Sequence, residues 1–283
     1  MRGILILVLL LLVSCQNMAP SAVDQPAGVI RDLHSGQRLS AQALVERLAG
    51  APRLIVGEQH DNPGHHHAQL WLLQALAQRR TQGSVLLEML TPDQQARVDE
   101  IHALDTARWP ADLPTALAWQ SGWDWSLYGP IVRYALAQPY PLLAANLDST
   151  DIRRMYKQAP AVSGARSNAP AVRIELLAQI RESHCGLLPE SRMPAMLAVQ
   201  QQRDRQMAAQ LLAAPAPALL FAGAYHARLD IGVPLHVQDL GEHSAPVVVM
   251  LAEKGAVVTS ASADYVWYTT ARPVQDYCAQ MRQ

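Results

Sequence analysis

The sequence has 283 residues, of which 50% are hydrophobic and 17% are charged, and its 23 basic and 24 acidic residues give a formal charge of -1 at pH 7. This composition is typical of a globular protein and excludes a disordered chain or a small disulfide scaffold. The sequence contains no run of Lys or Arg, so it offers no basic surface for nucleic acid. The length suits one large domain, or a core with an inserted subdomain.

The first 14 residues have the features of a lipoprotein signal peptide. A basic residue precedes a continuous apolar run over residues 4–13, which is too short for a membrane-spanning helix. The run ends in Leu-Val-Ser-Cys, the form of a bacterial lipobox, in which Cys15 is lipidated and becomes the first mature residue. Gln16 stands where Asp would favour retention at the inner membrane. We therefore expect a lipid-anchored, palmitate-bearing protein of the outer membrane, on either its periplasmic or its cell-surface face.

Beyond this segment, short apolar runs alternate with amphipathic stretches. Residues 53–57 are aliphatic and end in glycine, and a helical pattern follows over residues 64–82. Residues 84–90 repeat the strand pattern, and Thr91-Pro92-Asp93 then begins the next helix with an N-cap and a proline in the first turn. Further strand-like runs cover residues 141–146, 217–223, 246–252 and 264–269. Since several of them are apolar on both faces, the sequence predicts an α/β fold with a mostly parallel sheet flanked by helices.

The predicted strands are unevenly distributed along the chain. Helical patterns dominate residues 91–214, which contain four of the six tryptophans and one strand-like run near 141–146. We therefore predict a largely helical cap inserted into an α/β core that consists of residues 28–90 and 215–283. Residues 15–27 are rich in Pro, Ser and Ala without periodicity, which is typical of a tether that follows the lipidated cysteine.

Acids and imidazoles gather where the predicted strands end. Glu58 and His60 follow the first strand, Glu88 interrupts the second, and His226 follows a later one. Because ligands of open parallel sheets bind beyond the carboxyl ends of the strands, we expect these four side chains to meet in one pocket. Such a set suits a divalent metal or an acid/base pair. Polar residues expected to support the pocket are Asp61, Asn62, His65, His66, Asn146 and Asp148.

Each of these residues also has a purely structural interpretation. Glu88 alone could pair with an arginine in the core, and His226 alone could be a hydrogen-bonded core residue. His67 is expected at the surface, because three consecutive histidines on a helix cannot all face one site. The sequence lacks Gly-x-Ser-x-Gly, Walker and Gly-x-Gly-x-x-Gly motifs, which disfavours the corresponding enzyme classes. Cys185 and Cys278 could pair in an oxidising compartment, and the sequence leaves this pairing open.

These motifs resemble the ChaN-like haem-binding lipoproteins, a branch of the group that contains erythromycin esterases, TraB proteins and Tiki proteases. The matching segments cover nearly the whole mature chain in the family's order, and they are residues 57–69, 86–90, 122–128, 144–147, 184–189, 201–208 and 223–234. In the wider group, paired Gly-x-x-His motifs and strand-borne glutamates form the active or metal centre. By this resemblance that centre falls on Glu58, His60, Glu88 and His226.

The resemblance also implies a function. ChaN-like proteins hold haem between two protomers with a tyrosine as the axial ligand, which implies haem acquisition at the outer membrane, a homodimer on haem binding, and a haem-uptake receptor as a candidate partner. The candidate ligands here are Tyr128, which is the first choice, then Tyr156, and also Tyr225. A phenolate ligand favours capture of ferric haem, although Tyr128 could equally pack among tryptophans with its hydroxyl bonded. The absence of Cys-x-x-Cys-His indicates noncovalent haem.

Three hypotheses therefore remain. The favoured one is an outer-membrane haem-binding lipoprotein that serves haem or iron uptake. The alternative is a metal-dependent or acid/base hydrolase that uses the pocket of Glu58, His60, Glu88 and His226. Enzymatic activity is therefore uncertain from the sequence, which favours a binding protein over an enzyme. The third is a catalytically silent structural lipoprotein, which would tolerate replacement of His60 and Glu88 without losing a ligand.

Overall fold

The computed structural model describes residues 24–273 and 275–282. The predicted signal peptide and the lipidation site Cys15 lie outside the described residues. The strands are β1 Val29–Asp32, β2 Arg38–Leu39, β3 Arg53–Glu58, β4 Ser84–Leu87, β5 Leu142–Ala144, β6 Ala218–Gly223, β7 Val247–Glu253 and β8 Tyr265–Thr269. The α-helices are α1 Ala41–Leu48, α2 Pro63–Ala77, α3 Gln95–His102, α4 Leu113–Ala116, α5 Trp125–Leu136, α6 Ser149–Gln158, α7 Pro170–Ser183, α8 Met193–Ala213, α9 Ala224–Ala227, α10 Val233–Asp239 and α11 Tyr277–Met281. Within this part of the chain, no helix combines the length and the apolar character that crossing a membrane requires.

The strands form one eight-stranded sheet in the order β2, β1, β8, β7, β3, β6, β4, β5. Every pair from β8 to β5 is parallel, while β1 pairs antiparallel with both β8 and β2. The predicted α/β fold with a mostly parallel sheet and flanking helices is therefore confirmed. The β1 and β2 hairpin was not predicted, because it is short and four of its six residues are not buried.

Both faces of the sheet are covered by apolar side chains. In β3, Leu54 and Val56 point to a core shared with α1, α2, α3 and α5, whereas Ile55 points to a core shared with α8 and α10. This alternation is the normal period of a strand, and burial on both faces explains why the parallel strands appear in the sequence as continuous aliphatic runs. The central strands are thereby held rigidly, and the residues that follow their carboxyl ends are placed with them.

Residues 91–214 contribute helices α3 to α8 and strand β5, which pairs with the edge strand β4. Helix α5 packs against α2, and α8 packs against both α10 and α6. A separate small core joins α7 to the first turns of α8 through Leu176, Ile180, Met193 and Leu197. A disulfide joins Cys185, which follows α7, to Cys278 in α11, so the pairing that the sequence left open is formed.

Candidate functional site

The parallel register brings the ends of three strands together. Glu58, the last residue of β3, lies opposite Gly223, the last residue of β6. Leu87, the last residue of β4, lies opposite Phe221 of β6, so Glu88 follows immediately beside the same edge. The loop after β3 and helix α9, which follows β6 directly, then carry His60 and His226 over this edge. The four residues that the sequence expected in one pocket are thus placed together by strand pairing.

The first half of the cluster is organised around Glu58, which is only 1% exposed. The Tyr128 hydroxyl donates to Glu58 Oε1 at 2.5 Å, and His60 Nδ1 lies 3.0 Å from the same oxygen. His66 Nδ1 lies 3.1 Å from Glu58 Oε2, while its Nε2 donates to the His60 carbonyl oxygen at 2.9 Å. A buried carboxylate needs such partners, because an unpaired one is costly in the interior.

These contacts raise the pKa values of two residues of the cluster, His60 and Tyr128. Burial alone would lower the pKa of His60, but the hydrogen bond with Glu58 and the charges of Glu88 and Glu58 outweigh it, so the pKa is raised. Burial and the negative charge of Glu58 both raise the pKa of Tyr128 far above its ordinary value. Tyr128 therefore stays a neutral phenol that donates a hydrogen bond, whereas His60 gains affinity for a second proton.

The second half of the cluster is a carboxylate, imidazole and carboxylate row. Glu88 Oε2 accepts from the Gly223 backbone N–H at 2.7 Å, and Glu88 Oε1 lies 3.3 Å from His226 Nε2. His226 Nδ1 donates to Asp204 Oδ1 at 2.5 Å, and Gln200 Nε2 lies 3.2 Å from the same nitrogen. Glu88, Asp204 and His226 are all buried.

The charges in this row support one another. Burial works against the charged imidazole, but Glu88 and Asp204 together raise the pKa of His226 to about 10. Burial likewise raises the pKa of Glu88, but the His226 charge and hydrogen bond overcome it and hold that pKa well below its usual range. His226 is therefore an imidazolium between two carboxylates at neutral pH.

The two halves meet at Gly223. A methyl group added at Gly223 would lie 2.7 Å from His60 Nε2, so the glycine permits the close approach of this ring. The His60 ring packs edge-on against Trp123 with centroids 4.8 Å apart, and its side chain is 39% exposed. His60 thus places a carboxylate-anchored imidazole at the solvent side of a buried acid and imidazole network. Chemically, this arrangement can hold and exchange protons.

The residues expected to support the pocket divide into two groups. Buried His66 contacts Glu58 as described, and Asn146 Nδ2 donates to the Glu88 backbone oxygen at 3.0 Å. The others bond elsewhere: Asn62 caps α2 and donates to Glu253, Asp148 accepts from the Asp93 backbone N–H, and Asp61 pairs with Arg272. His65 accepts from the Gln59 backbone N–H, and burial lowers its pKa to about 4. His67 is exposed, as the sequence predicted.

The three candidate haem ligands occupy very different places. Tyr128, the first choice from the sequence, is 1% exposed, and its hydroxyl donates a hydrogen bond to Glu58. Tyr225 is 40% exposed on α9 at the rim of an open groove of about 580 Å³. Tyr156 is half-buried on α6, and among the described residues no group hydrogen-bonds its hydroxyl.

Asp204 and Gln200 are members of the cluster that the sequence did not identify as site residues. Both lie in the interior of α8, far from any strand end in the sequence. The sequence signal is only the helical spacing, since residues 197, 201, 204, 208 and 211 repeat at intervals of four and three, and the structure shows that all five are buried. A carboxylate on such a stripe must have a buried partner.

The cluster gives no support to a divalent metal. Within residues 24–273 and 275–282, no group of three or more His, Cys, Asp or Glu side chains is arranged to hold a metal ion. The acids and imidazoles bond to one another instead, in the pairs given above.

Comparison with known proteins identifies the family. Residues 44–237 match the family model described as haem-binding uptake, Tiki superfamily, ChaN. The chain belongs to this haem-binding uptake family. This membership confirms the resemblance found in the motifs and favours haem binding over the metal-dependent or acid/base hydrolase. No curated protein matches the sequence.

Several solved structures are similar to this chain, and the ChaN structure agrees with the family assignment. The structure described as cofacial heme binding to ChaN of Campylobacter jejuni is 29% identical, with a TM-score of 0.79, and the match covers 86% of this chain and 97% of that one. An erythromycin esterase mutant, EreC, in its open conformation is 13% identical, with a TM-score of 0.44 and coverage of 86% and 82%. A Bacillus cereus protein is 11% identical, with a TM-score of 0.38 and coverage of 74% and 68%.

Proposed function

We propose that this protein binds haem noncovalently through the phenolate of Tyr156 and serves haem or iron uptake as a lipid-anchored protein of the outer membrane. The family match and the haem-binding ChaN neighbour support the haem ligand. The observation that carries the ligand choice is on α6, where the half-buried Tyr156 contacts the Arg192 guanidinium and no described residue hydrogen-bonds its hydroxyl.

Electrostatics separates the three tyrosines. Ferric haem is ligated by a phenolate, which is anionic, so a ligand tyrosine should not face carboxylates. Burial and Glu58 raise the pKa of Tyr128, and burial with the charge of Glu182 raises the pKa of Tyr225. Tyr156 instead has the Arg192 guanidinium 5.6 Å from its ring centroid. We choose Tyr156 as the ligand because its ring contacts a cation, whereas Tyr128 contacts a carboxylate.

The face of α6 that carries Tyr156 is apolar. Ile152 and Tyr156 are four residues apart, so they lie on one face of the helix together with Met155, and none of the helix's residues is fully buried. A porphyrin would pack against the partly exposed apolar side chains of this face. A cleft of about 320 Å³ on the same helix is lined by Thr150, Arg153, Arg154, Lys157 and Gln158. These side chains lie on the face of the helix opposite Ile152 and Tyr156, so the haem surface we propose does not include this cleft.

A homodimer follows from the same proposal. Cofacial haem binding, as described for the Campylobacter jejuni protein, places two macrocycles face to face. A surface helix such as α6 covers one haem face and leaves the other open to water, so a second protomer that brings a second haem would exclude that water. We therefore expect dimerisation to depend on haem. Hemin added to the mature protein should double the mass in sedimentation, whereas a mass that stays monomeric would contradict the cofacial arrangement.

The decisive experiment is a hemin titration followed by absorption. The mature protein should give a Soret band and a phenolate charge-transfer band, and Tyr225→Phe, the matched control, should behave in the same way. Tyr156→Phe should lose the charge-transfer band and bind hemin at least about tenfold more weakly, the effect of roughly 1.4 kcal/mol. Absence of a Soret change in the wild-type protein would refute haem binding, and an unchanged Tyr156→Phe spectrum would refute the ligand.

The membrane anchor is tested separately. We expect Cys15 to be acylated in a bacterial host, so that the protein sediments with outer membranes. The matched variant is Cys15→Ser, which should be released into the soluble fraction. It should keep its hemin affinity, because the proposed haem surface is on α6 and does not include Cys15. Outer-membrane sedimentation of Cys15→Ser at the wild-type level would contradict the anchor.

A further inference from the structure

The Arg192 side chain contacts an aromatic ring instead of a carboxylate. Its guanidinium carbon lies 5.6 Å from the centroid of the Tyr156 ring, although the two residues belong to different elements. Within the described part of the chain, no carboxylate forms an ion pair with Arg192, so its charge is not neutralised by a neighbour. The Arg192 side chain is exposed, and among the described residues it contacts the aromatic face of Tyr156.

The segment that carries Arg192 is firmly held. Arg192 ends the short 3₁₀ helix Glu190–Arg192, and Arg181 of α7 donates two hydrogen bonds to the Glu190 carboxylate at 3.0 and 2.9 Å. The next residue, Met193, is buried in the small core between α7 and α8. Cys185 ties the preceding loop to α11. A side chain on such a fixed backbone keeps its direction with less loss of entropy than one on a free loop.

We propose that Arg192 is a positioning residue for the haem ligand: it holds the Tyr156 ring by a cation–π contact and stabilises the negative charge that the phenolate carries when it ligates ferric iron. This inference rests on the haem binding proposed above. The physical reason is that a cation close to an aromatic ring interacts more strongly when that ring becomes anionic, since an ion pair is added to the quadrupole interaction. Removal of the Arg192 charge should therefore destabilise the haem-bound protein more than the haem-free protein.

Two replacements of Arg192 separate charge from packing. Arg192→Gln removes the cation, and haem transfer to excess apomyoglobin should become about 2- to 30-fold faster, the range that a cation–π contact supports. Its phenolate-to-iron charge-transfer band should move to longer wavelength, because the phenolate becomes easier to oxidise without a nearby cation. Arg192→Lys keeps the charge and should restore most of both values. Arg173→Gln, an exposed arginine of α7, is the matched control and should match the wild type.

A readout without haem tests the contact itself. In the apo protein, the side-chain methylene protons of Arg192 should show upfield ring-current shifts in NMR spectra, and Tyr156→Leu should abolish them. Wild-type transfer rate and band position in Arg192→Gln would overturn the inference while leaving haem binding intact. Failure of Arg192→Lys to restore either value would also overturn it. If the wild-type protein binds no hemin, the proposed function fails first and this inference fails with it.

Discussion

We expect the buried row of Glu88, His226 and Asp204 to make the stability of this protein fall as the pH rises. The two carboxylates raise the pKa of His226 to about 10, above its ordinary value of 6.5. A group whose pKa is raised by folding contributes stability that is complete below its unfolded pKa and is lost as the pH rises through its folded pKa. For these values, the free energy of unfolding should fall by about 2.5 kcal/mol between about pH 7.5 and 9.5. The raised pKa of His60 acts in the same direction.

Urea unfolding across this range measures the effect. His226→Gln should lose most of the slope, whereas His67→Gln, with an exposed imidazole, should keep it. His226→Gln leaves two buried carboxylates unpaired, at a cost of about 3–5 kcal/mol. If it does not fold, Asp204→Asn removes one of the carboxylates that hold the imidazolium and should flatten the slope in part. Equal slopes in the wild type and in the folded His226 or Asp204 variant would refute the reasoning, as would imidazole ¹⁵N signals showing neutral His226 at pH 8.

Two further predictions concern stability. Tyr128→Phe removes the 2.5 Å hydrogen bond to buried Glu58 and should lower the free energy of unfolding by about 1.5–3 kcal/mol in urea at pH 7, and an unchanged midpoint would contradict this role. Cys185→Ser should cost about 2–4 kcal/mol, because the disulfide to Cys278 closes a loop across a sequence separation of 93. A reductant should destabilise the wild type but not this variant, and an equal response of the two would argue against the disulfide.

The parallel sheet was predictable because its central strands carry their own signal. Strands β3 and β6 are buried on both faces, which appears in the sequence as unbroken aliphatic runs that end in glycine or an acid. The paired hairpin of β1 and β2 has no such signal, since burial alternates over only a few residues there. The order of the strands could not be predicted from the sequence, because β7 and β6 pair with β3 although these segments are distant in the chain.

The cluster at the strand ends was predictable only in part. Glu58, Glu88, His60 and His226 follow strands directly, so parallel pairing alone brings them to one edge. Asp204 reaches the same place from the interior of a helix, and its position depends on how α8 packs on the sheet. Similarly, whether Tyr128 is a ligand or a core residue depends on the packing of α5 against α2, which periodicity cannot specify.

The cost of leaving a buried carboxylate without a partner favours a haem site away from the cluster at the strand ends. Iron ligation by Tyr128 would remove its hydroxyl proton from Glu58 and leave a buried carboxylate short of a partner, which costs about 1–3 kcal/mol or more for a charged group. Tyr156 carries no such penalty, because no described residue depends on its hydroxyl. A surface whose polar groups are uncommitted can bind and release a cargo without disturbing the core. We therefore expect hemin affinity to survive Glu58→Gln in any preparation that folds, whereas loss of hemin from that folded variant would place the cargo at the strand ends instead.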